Sequence, residues 1–293
     1  MKLLLYISLG LLGLSSCLRL DPMLYNPYDD ITEYQLDGYV GDYDSFFALD
    51  ASYDIPDSLI TVFTLPTSTE RAIYAVYIGD QSAISTDTVI LYNHGNTGHL
   101  DLYWQRAKLL ANIGGKNRFG VLMIDYSGFG LSEGTISEEN MYEDVNNAIL
   151  WLEDMGLTED RFMMYGFSLG TAPTCELTSQ PRSLSPNKII LEAPFASAEV
   201  MIQDGSQLAM PGSYLTNLAI DNAEEIKNIQ QPLLWIHGED DDFVNIGHGE
   251  LVYANHSGDY KIAIRIPGAN HGTCPQTLGF EVYAQHILDF IEM

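Results

Sequence analysis

The chain has 293 residues, with 40 Asp and Glu against 13 Lys and Arg, a net charge of −27 and a pI near 4.2. A surface this acidic repels polyphosphate, which excludes nucleic-acid binding through a basic footprint, while 46% hydrophobic and 11% aromatic residues supply a sizeable core rather than a disordered chain. Three cysteines are too few for a disulfide scaffold and too scattered for a zinc site, and the length fits one large α/β domain or two small ones.

Residues 1–17 read MKLLLYISLGLLGLSSC, one Lys followed by an uncharged run from Leu3 to Leu14. That run has the length of a signal-peptide apolar region and falls short of a membrane-spanning helix. It ends in Leu14-Ser15-Ser16-Cys17, which resembles the lipobox of bacterial lipoproteins, with an ordinary cleaved signal or an uncleaved anchor as the alternatives. The resemblance implies removal of residues 1–16, acylation of Cys17, and an exported protein held to a membrane of the bacterial envelope by buried acyl chains. Residues 17–56 then form a tether, rich in Tyr, Asp and Pro and without a sustained period. Its tyrosines (Tyr25, Tyr28, Tyr34, Tyr39, Tyr43 and Tyr53) predict that part of it lies along the domain with their hydroxyls in water.

A regular pattern begins at residue 57. Ser58–Leu65 and Arg71–Ile78 read as an antiparallel strand pair. Apolar runs follow at Thr88–Tyr92, Gly120–Asp125, Arg161–Tyr165, Lys188–Leu191, Pro232–Ile236 and Tyr260–Ile266. Helical spacing separates most of them, at Asp101–Asn112, Glu138–Met155, Leu169–Ser179 and Gly247–Ala254, with a closing helix over Leu278–Ile291. Short Val/Ile/Leu/Met strands alternating with helices predict a mostly parallel sheet covered on both faces. The long interval Phe195–Ile229 leaves room for a small cap or lid, in which Met201, Leu208, Met210, Tyr214 and Leu215 either line a pocket or pack as core.

Gly166-Phe167-Ser168-Leu169-Gly170 stands where a strand meets a helix, the context in which G-x-S-x-G lifts a serine hydroxyl above a sheet edge. Such a nucleophile needs a base and a carboxylate that orients the base. His271 follows the last strand in a loop able to reach back over the sheet, so it is the candidate base. His94 and His237 precede glycines directly after strands and read as turn residues, and His248, His256 and His286 read as solvated. The acid comes from the cluster Glu239-Asp240-Asp241-Asp242, with Asp241 favoured by the chain order Ser168…Asp241…His271 and Glu192 as runner-up. A calcium loop is disfavoured, because the cluster lacks the EF-hand spacing and its distal Glu. Asn96, after the Thr88–Tyr92 strand, and Leu169, directly after the nucleophile, are the candidate amides for an oxyanion.

These motifs resemble the α/β-hydrolase superfamily, in its compact branches that include monoacylglycerol-lipase-like, acyl-protein-thioesterase-like and serine-aminopeptidase-like enzymes. The resemblance covers about residues 57–293 and rests on Asn93-His94-Gly95-Asn96, the stretch from Asp125 to Gly134, the Ser168 elbow, Ala193-Pro194-Phe195, His237-Gly238 through Val244, and the His271 loop. It implies an α/β-hydrolase fold, and the spacing from His237-Gly238 in relatives points to Asp241 rather than Asp240 or Asp242. Relatives usually carry Arg where this chain has Ser127, so the charged brace at that point is expected to be missing. Outside the cytoplasm Cys175 and Cys274 are candidates for a disulfide, with core packing as the simpler reading of Cys175.

The resulting expectation is a membrane-anchored serine hydrolase acting on a small-molecule or lipid acyl ester. Ser168, His271 and Asp241 are the triad, Asn96 and Leu169 the oxyanion donors, and the chemistry requires no metal or organic cofactor. A thioesterase or peptidase on the same fold, and a catalytically silent binding module, are the alternatives.

Overall fold

The computed structural model describes residues 19–39, 47–206 and 211–293. Cys17, Tyr43, Leu208 and Met210 therefore lie outside the described residues. Eight strands build the main sheet: β1 (Ile60–Pro66), β2 (Ala72–Ile78), β3 (Val89–Asn93), β4 (Gly120–Ile124), β5 (Phe162–Phe167), β6 (Lys188–Glu192), β7 (Leu233–Gly238) and β8 (Lys261–Ile266). Their order is β8-β7-β6-β5-β3-β4-β2-β1. β1 and β2 are antiparallel in the register Ile60↔Ile78, β2 meets β4 antiparallel, and β3 through β8 run parallel. Every residue of β3, β4, β5, β6 and β7 is buried, which is why their sequences are near-continuous runs of Val, Ile, Leu, Met and aromatics rather than alternating ones.

Successive strand residues point to opposite faces. Leu91, Met164 and Ile189 face one core, covered by α2 (Glu138–Asp154), α3 (Thr171–Ser179) and α6 (Ile246–Asn255). Tyr92, Tyr165 and Ile190 face the other, covered by α1 (Leu100–Ala111) and α8 (Phe280–Glu292). The helices start where the sequence supplies the chemistry. Ser137 caps α2 by accepting from the Asn140 amide, and Glu138 and Glu139 sit in its first turn, where acids suit the helix dipole. The closing helix is divided at Gly279 into α7 (Cys274–Leu278) and α8. Between β6 and β7 lie α4 (Ala198–Ser206) and the single turn α5 (Asn222–Glu225), with Leu215 buried and Tyr214 exposed.

The chain steps from β3 outward to β4 and then returns to place β5 on the other side of β3. The loops after β3 and β5 thus leave the sheet side by side and diverge, which opens a crevice at their carboxyl ends.

The amino-terminal segment is bound to this body. Asn26–Pro27 pairs in parallel with Thr97–Gly98 beyond β3, and Asp101 accepts from the Gln35 and Leu36 amides. Lys108 reaches Asp37 at 2.6 Å and Asp54 at 3.0 Å, and Phe47 is buried. One expectation fails here. The tyrosine hydroxyls are not all in water: Tyr34 donates to the Asp125 carboxylate at 2.6 Å, and the Tyr25 hydroxyl is buried. Burial first, and then the Asp125 charge, push the Tyr34 phenol well above its ordinary pKa.

Two further readings meet the structure here. Cys175 and Cys274 are both free and buried, and they belong to the cores on opposite faces of the sheet, so they do not pair. Ser127 is nevertheless met by a cation from elsewhere in the chain. Arg71, just before β2, donates to the Ser127 hydroxyl, pairs with Glu143 at 2.8 Å and lies 3.4 Å from Asp144, so a guanidinium ties Ser127 to α2.

Candidate active site

Ser168 sits at the sharp turn between β5 and α3, with φ of +51°, a left-handed conformation that costs a non-glycine residue about 1 kcal/mol or more. Its neighbours make the turn possible. A Cβ on Gly170 would stand 2.0 Å from the Asn93 carbonyl oxygen, and one on Gly166 would stand 2.6 Å from the Gly170 carbonyl oxygen. Thr171 Oγ1 donates to the Ser168 carbonyl at 2.6 Å, and Asn93 Nδ2 donates to Thr174 Oγ1 at 2.9 Å, which ties α3 to the end of β3.

The structure brings Ser168, His271 and Asp241 together from three loops. Ser168 Oγ lies 2.8 Å from His271 Nε2, and His271 Nδ1 lies 2.8 Å from Asp241 Oδ2. Ser168 is 3% exposed and the Asp241 carboxylate is enclosed, whereas Asp240 and Asp242 are exposed. Glu192 is elsewhere engaged, accepting from Arg106 at 2.7 Å and from the Tyr165 hydroxyl at 2.5 Å.

Asp241 is held from every side. Its Oδ1 accepts from the Phe243 and Val244 amides at 3.0 and 2.8 Å. Its Oδ2 lies 3.2 Å from His237 Nε2. Trp235 Nε1 donates to His237 Nδ1 at 3.3 Å, so the His237 proton resides on Nε2, facing Asp241 and the Val244 carbonyl. Burial alone would raise the Asp241 pKa, but hydrogen bonds from His237, His271 and Val244, together with the charge of His271, hold it well below the usual carboxylate range.

Asn96 and Leu169 flank the serine. Both border a cleft at Ser168, and the Leu169 amide opens the turn that leads into α3. The Asn96 side-chain oxygen accepts from the Asn26 amide at 2.6 Å, so the amino-terminal segment fixes the residue's orientation. His94 is buried below this loop, with Nδ1 donating to the Gly95 carbonyl at 2.8 Å and Nε2 3.3 Å from Asp125. His248 and His256, read as solvated, are in fact buried. His248 Nδ1 accepts from the Ala196 amide, and His256 Nε2 donates to the Gln231 carbonyl.

Two contributors escape a reading of the sequence. His237 looks like a turn residue, and its only local signal is that it precedes Asp241 by four. Arg106 lies on the buried face of α1, where a buried cation implies a buried partner. It joins Glu192 to the carbonyl of Gly272, the residue after His271, at 2.7 Å, and its guanidinium covers the Phe167 ring. Among the described residues no cluster of His, Cys, Asp and Glu is arranged to hold a metal ion.

The fold has counterparts among known proteins. The family model described as "alpha/beta hydrolase fold" matches residues 88–206, which contain β3, β5 and the Ser168 turn. The chain has the α/β-hydrolase fold. The chain is 29% identical over 207 residues to Alpha/beta hydrolase domain-containing protein aho-3 of Caenorhabditis elegans, an alignment that covers 70% of this chain and 57% of that protein. It is 27% identical over 231 residues to Alpha/beta hydrolase domain-containing protein 17C of Mus musculus, covering 78% and 65% of the two chains. The chain thus spans 57% and 65% of the length of these two relatives. An esterase of Pyrococcus furiosus shares the α/β-hydrolase fold at a TM-score of 0.69 and 15% identity, over 92% of this chain and 97% of its own. A structure described as a membrane phospholipase A shares it at 0.60 and 14%, over 80% and 86%.

Proposed function

We propose that this α/β-hydrolase is a serine hydrolase that cleaves carboxylic esters through a covalent acyl-enzyme, and that acylated Cys17 anchors it to a membrane of the bacterial envelope. The observation that carries the catalytic reading is the unbroken hydrogen-bonded series Ser168–His271–Asp241 at 2.8 Å per link, beside an accessible cavity of ≈460 Å³. His271 Nε2 takes the Ser168 proton as Oγ attacks the ester carbonyl carbon. Asp241, kept ionised, fixes the tautomer with the proton on Nδ1 and stabilises the imidazolium that forms. The amides of Asn96 and Leu169 face the charge that develops on the carbonyl oxygen. The ester C–O bond then breaks, His271 returns the proton to the departing alcohol, and a water molecule repeats the sequence to release the carboxylic acid.

A fluorophosphonate probe tests this directly, because it traps an activated serine. Wild-type protein is expected to label on Ser168, and Ser168→Ala to lose labelling together with at least about 10⁴-fold of esterase turnover. Unlabelled wild-type protein, or a labelled Ser168→Ala, would overturn the assignment.

A further inference from the structure

Two openings meet at Ser168, and they differ in kind. One is the ≈460 Å³ cavity, bordered by His271, Arg106, Phe167 and Asn26 and sharing Asn96 and Phe243 with its neighbour, so that His271 borders this cavity alone and Leu169 only the other. The other is a cleft of only ≈10 Å³, walled by Leu24, Phe195, Met201, Phe243 and Val244 and bordered by Asn96 and Leu169. Given the serine-hydrolase reading above, on which this inference rests, the reaction dictates which half of an ester occupies each. The carbonyl oxygen must face the Asn96 and Leu169 amides. The leaving oxygen must receive its proton from His271. The acyl group therefore enters the apolar cleft, and the alcohol fills the large cavity.

We propose that Leu24, supplied by the amino-terminal segment from outside the sheet-and-helix body, closes the acyl cleft and restricts the enzyme to short acyl groups carried on bulky alcohols. Leu24 is 7% exposed, and its position is fixed on both sides. Before it, the Leu20 amide donates to the Leu215 carbonyl at 2.8 Å, and Asp21 accepts from Thr216 Oγ1 at 2.5 Å and from the Asn217 amide at 3.1 Å. After it, the Asn26 amide holds Asn96 at 2.6 Å, and Asn26–Pro27 pairs with Thr97–Gly98. A segment clamped at both ends cannot swing away to admit a long chain at little cost. The remaining ≈10 Å³ is about the room of one water molecule, the size of an acetyl methyl and far short of an octanoyl tail. In the reaction the Ser168 Oγ–acyl bond forms as the ester C–O bond breaks, the alcohol leaves with the serine proton, and water later supplies the hydroxyl of the short carboxylic acid. No electron transfer is involved.

The test compares kcat/KM for p-nitrophenyl acetate, butyrate and octanoate across wild-type, Leu24→Ala, Leu24→Phe and Met201→Ala full-length protein, with fluorophosphonate labelling of the same samples. Wild type is expected to lose turnover steeply from acetate to octanoate. Leu24→Ala and Met201→Ala should each raise the octanoate-to-acetate ratio about tenfold or more, the scale on which a pocket reads added methylenes, and Leu24→Phe should lower the butyrate-to-acetate ratio. Met201→Ala keeps the test decisive if Leu24→Ala does not fold. Absence of labelling in wild type would overturn the serine-hydrolase reading itself. Normal labelling with octanoate turned over as well as acetate, or with ratios unmoved in the variants that fold, would overturn the role of Leu24 alone.

Discussion

Asp241 receives hydrogen bonds from two histidines of unequal duty, His271 at 2.8 Å and His237 at 3.2 Å. Asp241→Asn would present an amide where His271 needs a fixed acceptor, so kcat is expected to fall on the order of 10³- to 10⁴-fold with protein abundance little changed. His237→Phe keeps the ring volume but removes the proton aimed at Asp241. Its expected effect is a kcat loss of about 10- to 100-fold with KM nearly constant, the signature of a displaced catalytic group rather than of weakened binding. Equal changes in both constants would argue against this positioning role. The sequence made Ser168 and His271 conspicuous because each sits in a loop whose local pattern carries the signal, a glycine-flanked turn and a loop after the last strand. His237 and Arg106 were not conspicuous, since their meaning lies in what they touch across the sheet. The partner of His248 Nδ1 is an amide 52 residues away, which no local pattern announces.

At the scale of elements, the strands and helices read from apolar runs and helical spacing appear within a residue or two of their expected limits, because in a covered parallel sheet burial and pattern coincide. What the pattern could not convey was how elements are tied together. Arg71 and Ser127 are 56 residues apart, and Tyr34 and Asp125 are 91 apart. Tyr34→Phe would leave Asp125 Oδ2 buried without that donor, and a stability loss of about 1–3 kcal/mol in urea unfolding is expected. The tie between Arg71, Ser127 and α2 predicts a pH dependence. Burial raises the Asp144 pKa to about 6 despite hydrogen bonds from Ser127 and the charge of Arg71. A carboxyl whose folded pKa lies above its unfolded value binds its proton more tightly when folded, so its contribution is full in acid and is lost as pH rises through about 6. The stability of wild type relative to Asp144→Asn should therefore fall by up to about 3 kcal/mol between pH 4 and 7. A difference that stays flat across that range would contradict this account.

Over the whole molecule the acidity has a structural side. Many of the few cations are already engaged: Arg71, Arg106 and Lys108 pair with carboxylates within the body, Arg265 pairs with Glu250 at the surface, and Lys188 and Lys261 donate to backbone carbonyls at the ends of α8 and α6, where positive charge suits the helix dipole. Little positive charge remains to attract the protein to an anionic lipid surface, so membrane attachment falls to the proposed acylation of Cys17. Cys17→Ala protein is accordingly expected in the soluble fraction and unbound to anionic vesicles even at low ionic strength. Retention on membranes would reject the anchor.

The short distance along the chain between Cys17 and Leu24 carries one more consequence. Seven residues span at most about 25 Å, so a lipid on Cys17 would keep the acyl cleft within that distance of the bilayer. The enzyme would then search for its esters in two dimensions. Its rate would follow the density of substrate in the surrounding leaflet rather than its bulk concentration, and diluting a membrane-borne ester with inert lipid would slow hydrolysis at constant total substrate.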